Sequence, residues 1–333
     1  MKTAFLRKAT NWILRFMQVQ LVVTLISLPI LASWGFPISM LSPIGNLAFT
    51  PVFIVFLLIS SLIFFFEILY IPNNFLIYLL KIITNSWLYI IPDNNQQFLV
   101  GFTKPPFLFL VIVPIATFAI LKVKKIDTVK KSILSLSLLF ILSCLYLKTI
   151  NKPKELIKHI ACNKGEVTFI YHKNKTVLID PGFIGQRISA DSWVQYTLLP
   201  EITKSCGKTS IDHLIVMQPG KITFEAIQTL IKSLVIKNVY LIVWDGTMTK
   251  SAFRSFFMMR DEAKKNKTNL KRIGNYETTI FLSDTSTIVI KKRDKILKYH
   301  DATYNALRVT CNIDNQTFKI YSAKYKKKQK NKP

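Results

Sequence analysis

Cysteine is scarce, with four among 333 residues. That excludes a disulfide scaffold, and there is no C-x-x-C pair or other zinc-like spacing. Cys144 lies in an apolar run, while Cys162, Cys206 and Cys311 lie in the C-terminal half. At most one intrachain bridge can therefore form outside the apolar runs. Histidine is equally rare, and His159, His172, His213 and His300 form no cluster in sequence. Acids are nearly missing from residues 1–150, where only Glu67, Asp93 and Asp127 occur. No cleavable leader is expected either. Lys2, Arg7 and Lys8 resemble its basic start, but Arg15 interrupts the apolar run and no small-residue cleavage site follows.

What residues 1–150 do contain is long apolar runs. About 20 apolar residues carry a helix across a bilayer. Five segments approach this, at about Trp12–Trp34, Leu47–Tyr70, Phe75–Ile91, Pro106–Leu121 and Ser132–Leu147. The third is short and carries Lys81, so by composition it either spans or lies in the interface. Basic residues set the orientation. Lys2, Arg7, Lys8 and Arg15 hold the N-terminus inside. Lys122, Lys124, Lys125, Lys130 and Lys131 hold the loop after the fourth segment inside. Five spans satisfy both conditions and leave the C-terminal half outside, whereas four make them conflict. With five spans, Lys81 is expected to face a polar cavity or another helix.

Between the first two runs, residues 35–51 hold Pro37, Pro43, Pro51, Gly35 and Gly45. Such a composition opposes a continuous helix. Non-helical backbone at membrane depth needs cover from protein or water. The segment is therefore either a re-entrant element lining a path or an ordinary connecting loop.

From His159 the pattern changes to short strands and turns. Residues 167–172 and 176–179 read as a hairpin closed by Asn174-Lys175 and ended by Asp180-Pro181-Gly182. A helix is expected over 191–204, a strand over 213–217, a helix over 224–234 and a strand over 238–244. This alternation predicts an α/β domain. Residues 151–333 carry 33 Lys and Arg against 15 acids. Such an excess fits an anionic partner, although the abundance of Lys, Ile and Asn also fits simple composition bias. Residues 326–333 read as a solvated basic tail.

Two stretches resemble one family. The order strand, turn, strand, Leu178-Ile179-Asp180-Pro181-Gly182, helix, Ile211-Asp212-His213-Leu214-Ile215-Val216 resembles the start of a metallo-β-lactamase-like domain. Ser39-x-Leu41-Ser42-Pro43-Ile44-Gly45-Asn46-Leu47 … Pro51 resembles the polar break in the membrane domain of ComEC-type DNA internalisation proteins. In that family, too, the channel domain precedes the metallo-β-lactamase-like one. The resemblance covers roughly residues 15–325. It implies a polytopic helical membrane domain over 1–150 and an extracytoplasmic domain over 155–325, in the cytoplasmic membrane. The implied activity is passage of single-stranded DNA during natural transformation. Pro37, Ser39, Ser42, Pro43, Gly45, Asn46, Pro51 and Glu67 would then line or shape the path. Trp193, Tyr196 and Trp244 are aromatics available to stack bases, with core packing the alternative role for each.

The chain also departs from the family. Where metal-dependent members carry a His- and Asp-rich cluster, it reads Gln218-Pro219-Gly220-Lys221-Ile222-Thr223, and Lys221 would repel a cation. The strand 317–321 runs into Ser322-Ala323 without a carboxylate. Asp180 survives as a remnant site position or as a turn residue. The expectation is therefore a degenerate, non-catalytic domain with no bound metal or cofactor, since a metal-bound hydroxide needs ligands. The chain matches only the C-terminal part of the family, so a separate chain carrying the rest is a candidate partner, alongside lipid and single-stranded DNA. A membrane-anchored hydrolase and an accessory or vestigial membrane protein stand as alternatives.

Overall fold

The computed structural model describes residues 2–40, 42–90, 99–122, 129–149, 153–162, 165–184, 190–242, 244–273, 277–299, 302–314 and 316–322. The chain divides into two compact units. The first comprises residues 1–33, 37–100 and 105–151; the second comprises 34–36, 101–104 and 152–333.

Helices α1 (Lys2–Trp34), α2 (Ser42–Ile68), α3 (Asn74–Ile90), α4 (Phe107–Lys122) and α5 (Val129–Thr149) form the first unit with a two-residue pair, β1 (Ile38–Ser39) against β2 (Leu99–Val100). Each of the five expected segments is a helix. Three stretches, Thr10–Trp34, Phe49–Ile68 and Val129–Thr149, are long and apolar enough to cross a membrane, and the chain is a membrane protein on that ground. α4 has 16 residues, about 24 Å at 1.5 Å per residue, against a hydrocarbon core of about 30 Å. The packing suits a lipid solvent. Phe53, Ile54, Leu57, Leu58, Phe64 and Phe65 of α2 are all exposed. The buried residues follow helical periodicity: Phe109, Val113 and Thr117 on α4, and Ser132, Leu136, Ser143 and Leu147 on α5. Phe109 stacks on Tyr146 at 5.3 Å between ring centres. Lys81 is exposed on α3.

The second unit is a mixed α/β structure built on two sheets. Strands β3 (Leu156–Cys162), β4 (Gly165–His172), β5 (Lys175–Asp180), β6 (Ser210–Val216), β7 (Val235–Ile242) and β9 (Asn269–Ile273) form one sheet in that order. Its first two pairings are antiparallel and the rest parallel. The second sheet is antiparallel: β10 (Thr278–Phe281), β11 (Thr287–Tyr299), β12 (Ala302–Ile313) and β13 (Gln316–Tyr321), with β8 (Trp244–Met248) paired to β12.

Side chains alternate across the pleat and sort into two cores. Phe169, Leu178, Leu214, Val216, Val239 and Leu241 pack beneath the helices α7 (Leu199–Cys206), α8 (Lys221–Ser233) and α9 (Lys250–Lys265). Ile170, Val177, Ile179, Ile215 and Ile242 face Ile288, Ile290, Leu307, Val309 and Cys311 of the second sheet. The first sheet is thus covered on both faces, which accounts for its near-continuous apolar strands. Upstream of α7, α6 (Ala190–Trp193) runs into a π-helical turn at Val194–Leu198. The hairpin turn falls one residue earlier than expected, at Lys173-Asn174, where both residues have positive φ and His172 pairs with Lys175. All four cysteines are free.

The contribution of residues 34–36 and 101–104 to this unit has no signature in the sequence. Gly35 has φ +84°, and a Cβ there would lie 2.2 Å from the Pro200 carbonyl oxygen. The Lys104 N–H donates to the Lys204 carbonyl at 3.0 Å, and Phe102 is buried. The basic tail at 326–333 lies outside the described residues.

Candidate functional site

The polar stretch before the second span is mostly helix. Ser42, Pro43, Gly45, Asn46 and Pro51 all lie within the first ten residues of α2. The expected break shrinks to Gly35–Met40, with Pro37 and Ser39 beside or within β1. Two facts account for the helix. Pro43 sits in the first turn, where its missing N–H would have had no intrahelical partner. Gly45 has no steric duty, because a Cβ there would touch only the Phe49 ring at 3.9 Å. Pro51 lies deeper and removes one ladder donor.

Asn46 Nδ2 donates to Gln20 Oε1 of α1 at 2.9 Å. Gln20 lies 14 residues before the end of α1 at Trp34, about 21 Å along the axis. The first turns of α2 therefore stand beside the middle of α1, not beside its end. Two residues earlier on α1, Gln18 Nε2 donates to Ser132 Oγ of α5 at 3.0 Å. Glu67 does not join these groups. It is exposed near the far end of α2, 21 residues from Asn46 and about 31 Å along the helix.

In the second unit Asp180 ends β5 and is fully buried. Its Oδ1 accepts three backbone N–H groups, from Gly182 at 2.8 Å, Phe183 at 2.7 Å and Ile184 at 3.3 Å. Burial pushes the carboxyl above its ordinary value, and the three N–H donors oppose the shift. Oδ2 is buried without a hydrogen-bond partner. Gly182 has φ +120°, and a Cβ there would meet Gln218 Oε1 at 1.8 Å, so the buried Gln218 side chain occupies the space beside the turn. Ser322 Oγ donates toward the Met217 carbonyl at 3.4 Å and accepts from the Leu307 N–H at 2.9 Å. Gly220 caps α8, and Lys221 begins it with Nζ 3.9 Å from Glu225. At this end of the sheets Asp180 Oδ1 and Ser322 Oγ bind backbone groups.

Asp212 is the third residue of β6 and is buried. It accepts from the Thr176 N–H at 2.9 Å and hydroxyl at 3.0 Å, with Lys237 Nζ 2.7 Å away. Burial would raise its carboxyl, but Lys237 and Thr176 outweigh it and hold the group below its ordinary value. His213 is half-buried, with Nδ1 3.3 Å from the Tyr240 hydroxyl. Burial depresses its imidazole; Asp212 opposes, and the Lys175, Lys271 and Lys237 ammoniums add to the depression. Those three lysines give this strand-start edge a positive field. Lys271 also lies 5.4 Å over the Tyr240 ring. Of the aromatics considered for stacking, Trp193 is buried with Nε1 donating to the Ala161 carbonyl at 3.3 Å. Tyr196 is exposed, and the Trp244 side chain lies outside the described residues.

A third cluster escaped sequence reasoning. Glu155, His172 and Asp314 each turn a ligand-capable atom toward one point, all within 4.8 Å of one another. Among the described residues no other group of three or more such side chains meets that test. His172 is one of four histidines scattered along the sequence, and its partners lie 17 and 142 residues away.

No protein-family model and no curated protein matches the chain.

Proposed function

We propose that the chain is a component of a membrane channel that takes up single-stranded DNA, with a basic outer domain that gathers DNA and does not cut it. The observation that carries this reading is the Asn46–Gln20 hydrogen bond. It sets two amides at mid-helix depth. Amides at that depth mark a polar path or a partner helix. Asn46 belongs to the stretch in which the chain resembles ComEC-type proteins, and Gln20 is its partner outside that stretch.

Segment membership supports the sidedness. Residues 34–36, 101–104 and 152–333 belong to one unit. In a water-soluble unit all three lie on one side of the membrane. The helices between them, α2 with α3 and α4 with α5, then cross in pairs. With α1 the count is odd, and the unit lies opposite the basic N-terminus, as five spans require. The outer domain is read as a degenerate metallo-β-lactamase-like domain. Two face-to-face sheets that share one core support that. The lysines around His213 offer phosphate contacts without sequence preference.

The test is natural transformation in cells carrying Asn46→Leu or Gln20→Leu, with chain abundance in the membrane fraction measured in parallel. The expected result is uptake reduced to background at normal abundance for both variants. Normal uptake in both removes this amide pair, and the channel reading with it.

A further inference from the structure

We propose that Glu155, His172 and Asp314 form a binding site for a divalent transition-metal cation that clips the two sheets of the second unit together. This rests on the second unit alone and stands independently of the channel reading.

The geometry begins with strand alternation. His172 ends β4 two residues after Ile170, which packs between the sheets, so the imidazole points the same way. Leu156 pairs with Tyr171, which sets Glu155 beside His172. Asp314 follows Ile313 at the β12–β13 turn, in the left-handed region at φ +43°. Both sheets thus meet at this corner.

His172 is 1 % exposed, yet its Nδ1 makes no hydrogen bond. Glu155 Oε2 lies 3.0 Å from Nδ1 and Asp314 Oδ2 lies 3.6 Å from it, the nearer oxygen off the hydrogen-bonding axis. A buried, unsatisfied ring nitrogen facing two carboxylates is costly unless something sits between them. Ligand atoms about 2.1 Å from a common ion stand about 3.0 Å apart in octahedral and about 3.4 Å apart in tetrahedral geometry. The two separations fall near those values.

The outward-facing atoms are held as ligands require. His172 Nε2 lies 3.4 Å from Ser283 Oγ, which suits the tautomer with the proton on Nε2 and the lone pair on Nδ1. Glu155 Oε1 accepts the Lys173 N–H at 3.2 Å. Asp314 Oδ1 accepts the Ser286 hydroxyl at 3.2 Å and that of Thr285 at 3.4 Å. The inner atoms remain for an ion, and a cavity of about 350 Å³ lined by Glu155, His172, Asp314 and Gln316 gives it entry. One imidazole and two carboxylates suit Mn²⁺ or Zn²⁺ better than Ca²⁺.

The experiment is equilibrium dialysis of the untagged full chain in detergent micelles against Mn²⁺ and, separately, Zn²⁺. Wild type is compared with Glu155→Gln and Asp314→Asn, whose side chains are about half exposed and whose replacement leaves the core intact. The expected result is one ion per wild-type chain, lost or weakened more than about 100-fold in each variant. Added metal should raise the thermal midpoint of the wild type alone. Equal binding by all three proteins would overturn the site, and so would no binding by the wild type at millimolar metal. A midpoint that responds to pH but not to metal would also overturn it, making the cluster an ion pair between His172 and its carboxylates.

Discussion

Asp180 and His172 are both buried ionisable groups at strand ends of the same sheet, and their surroundings differ in kind. Asp180 Oδ1 is occupied by donors two, three and four residues along its own chain, while Oδ2 has no hydrogen-bond partner. The His172 imidazole faces groups 17 and 142 residues away and keeps an unsatisfied nitrogen. One open atom makes no ligand set by itself. Among the described residues only the His172 cluster brings three ligand-capable atoms within 4.8 Å of one another, and by that criterion His172 is the better-equipped ligand.

The sharpest way to break the contrast is to remove the Asp180 carboxylate. Asp180→Ala leaves three N–H groups in a buried turn without their acceptor, at about 1–3 kcal/mol for each donor left dry. We expect a loss of about 3 kcal/mol or more, measured as the thermal midpoint of the second unit in micelles. Asp180→Asn keeps an oxygen at the Oδ1 position, so its loss at neutral pH should be under about 1.5 kcal/mol. Equal losses would mean that the turn does not use the carboxylate as an acceptor. A smaller effect belongs to the other site. Ser283→Ala removes the group that orients the His172 ring without touching an ion. It should weaken Mn²⁺ or Zn²⁺ binding by about 10-fold, within the range for outer partners of a metal-bound histidine. The apo midpoint should hardly move.

The same contrast explains what the sequence disclosed. The helices of the first unit and strands β4, β5, β6 and β7 were legible because apolar period and turn chemistry are local. Asp180-Pro181-Gly182 declared a turn for the same reason. Three kinds of feature were hidden. The proline-rich start of α2 is helical because Pro43 falls in a first turn and a side chain at Gly45 would meet only the Phe49 ring, a matter of register that composition does not carry. Residues 34–36 and 101–104 joined the second unit through backbone contacts with Pro200 and Lys204, for which no residue type is diagnostic. The Glu155, His172 and Asp314 cluster depended on which face of β4 met which turn of the second sheet. Asn46 lies between these cases: the motif singled it out, but its partner Gln20 became visible only in the fold.

The smallest expected effect separates Asp180 from its near neighbour Asp212 through pH. In the folded state Asp180 has a raised pKa, because burial disfavours its charge more than the turn amides favour it. Between the ordinary carboxyl value of 3.8 and that raised value, the folded chain holds a proton that the unfolded chain has released. Stability then falls as pH rises. Asp212 has a lowered pKa, with Lys237 and Thr176 outweighing its burial. Its contribution is complete above 3.8 and is lost as pH falls through the lowered value. The two variants should therefore diverge. Relative to wild type, Asp180→Asn should gain thermal midpoint as pH is raised from 3.8 toward neutrality. Asp212→Asn should compare least favourably at neutral pH and recover toward wild type as pH falls below 3.8. The check is a set of midpoints for wild type and both variants across that range at constant ionic strength. Parallel profiles would show that the Asp180 charge is stabilised by something beyond its three amides, and would reopen its unpartnered Oδ2 as a ligand.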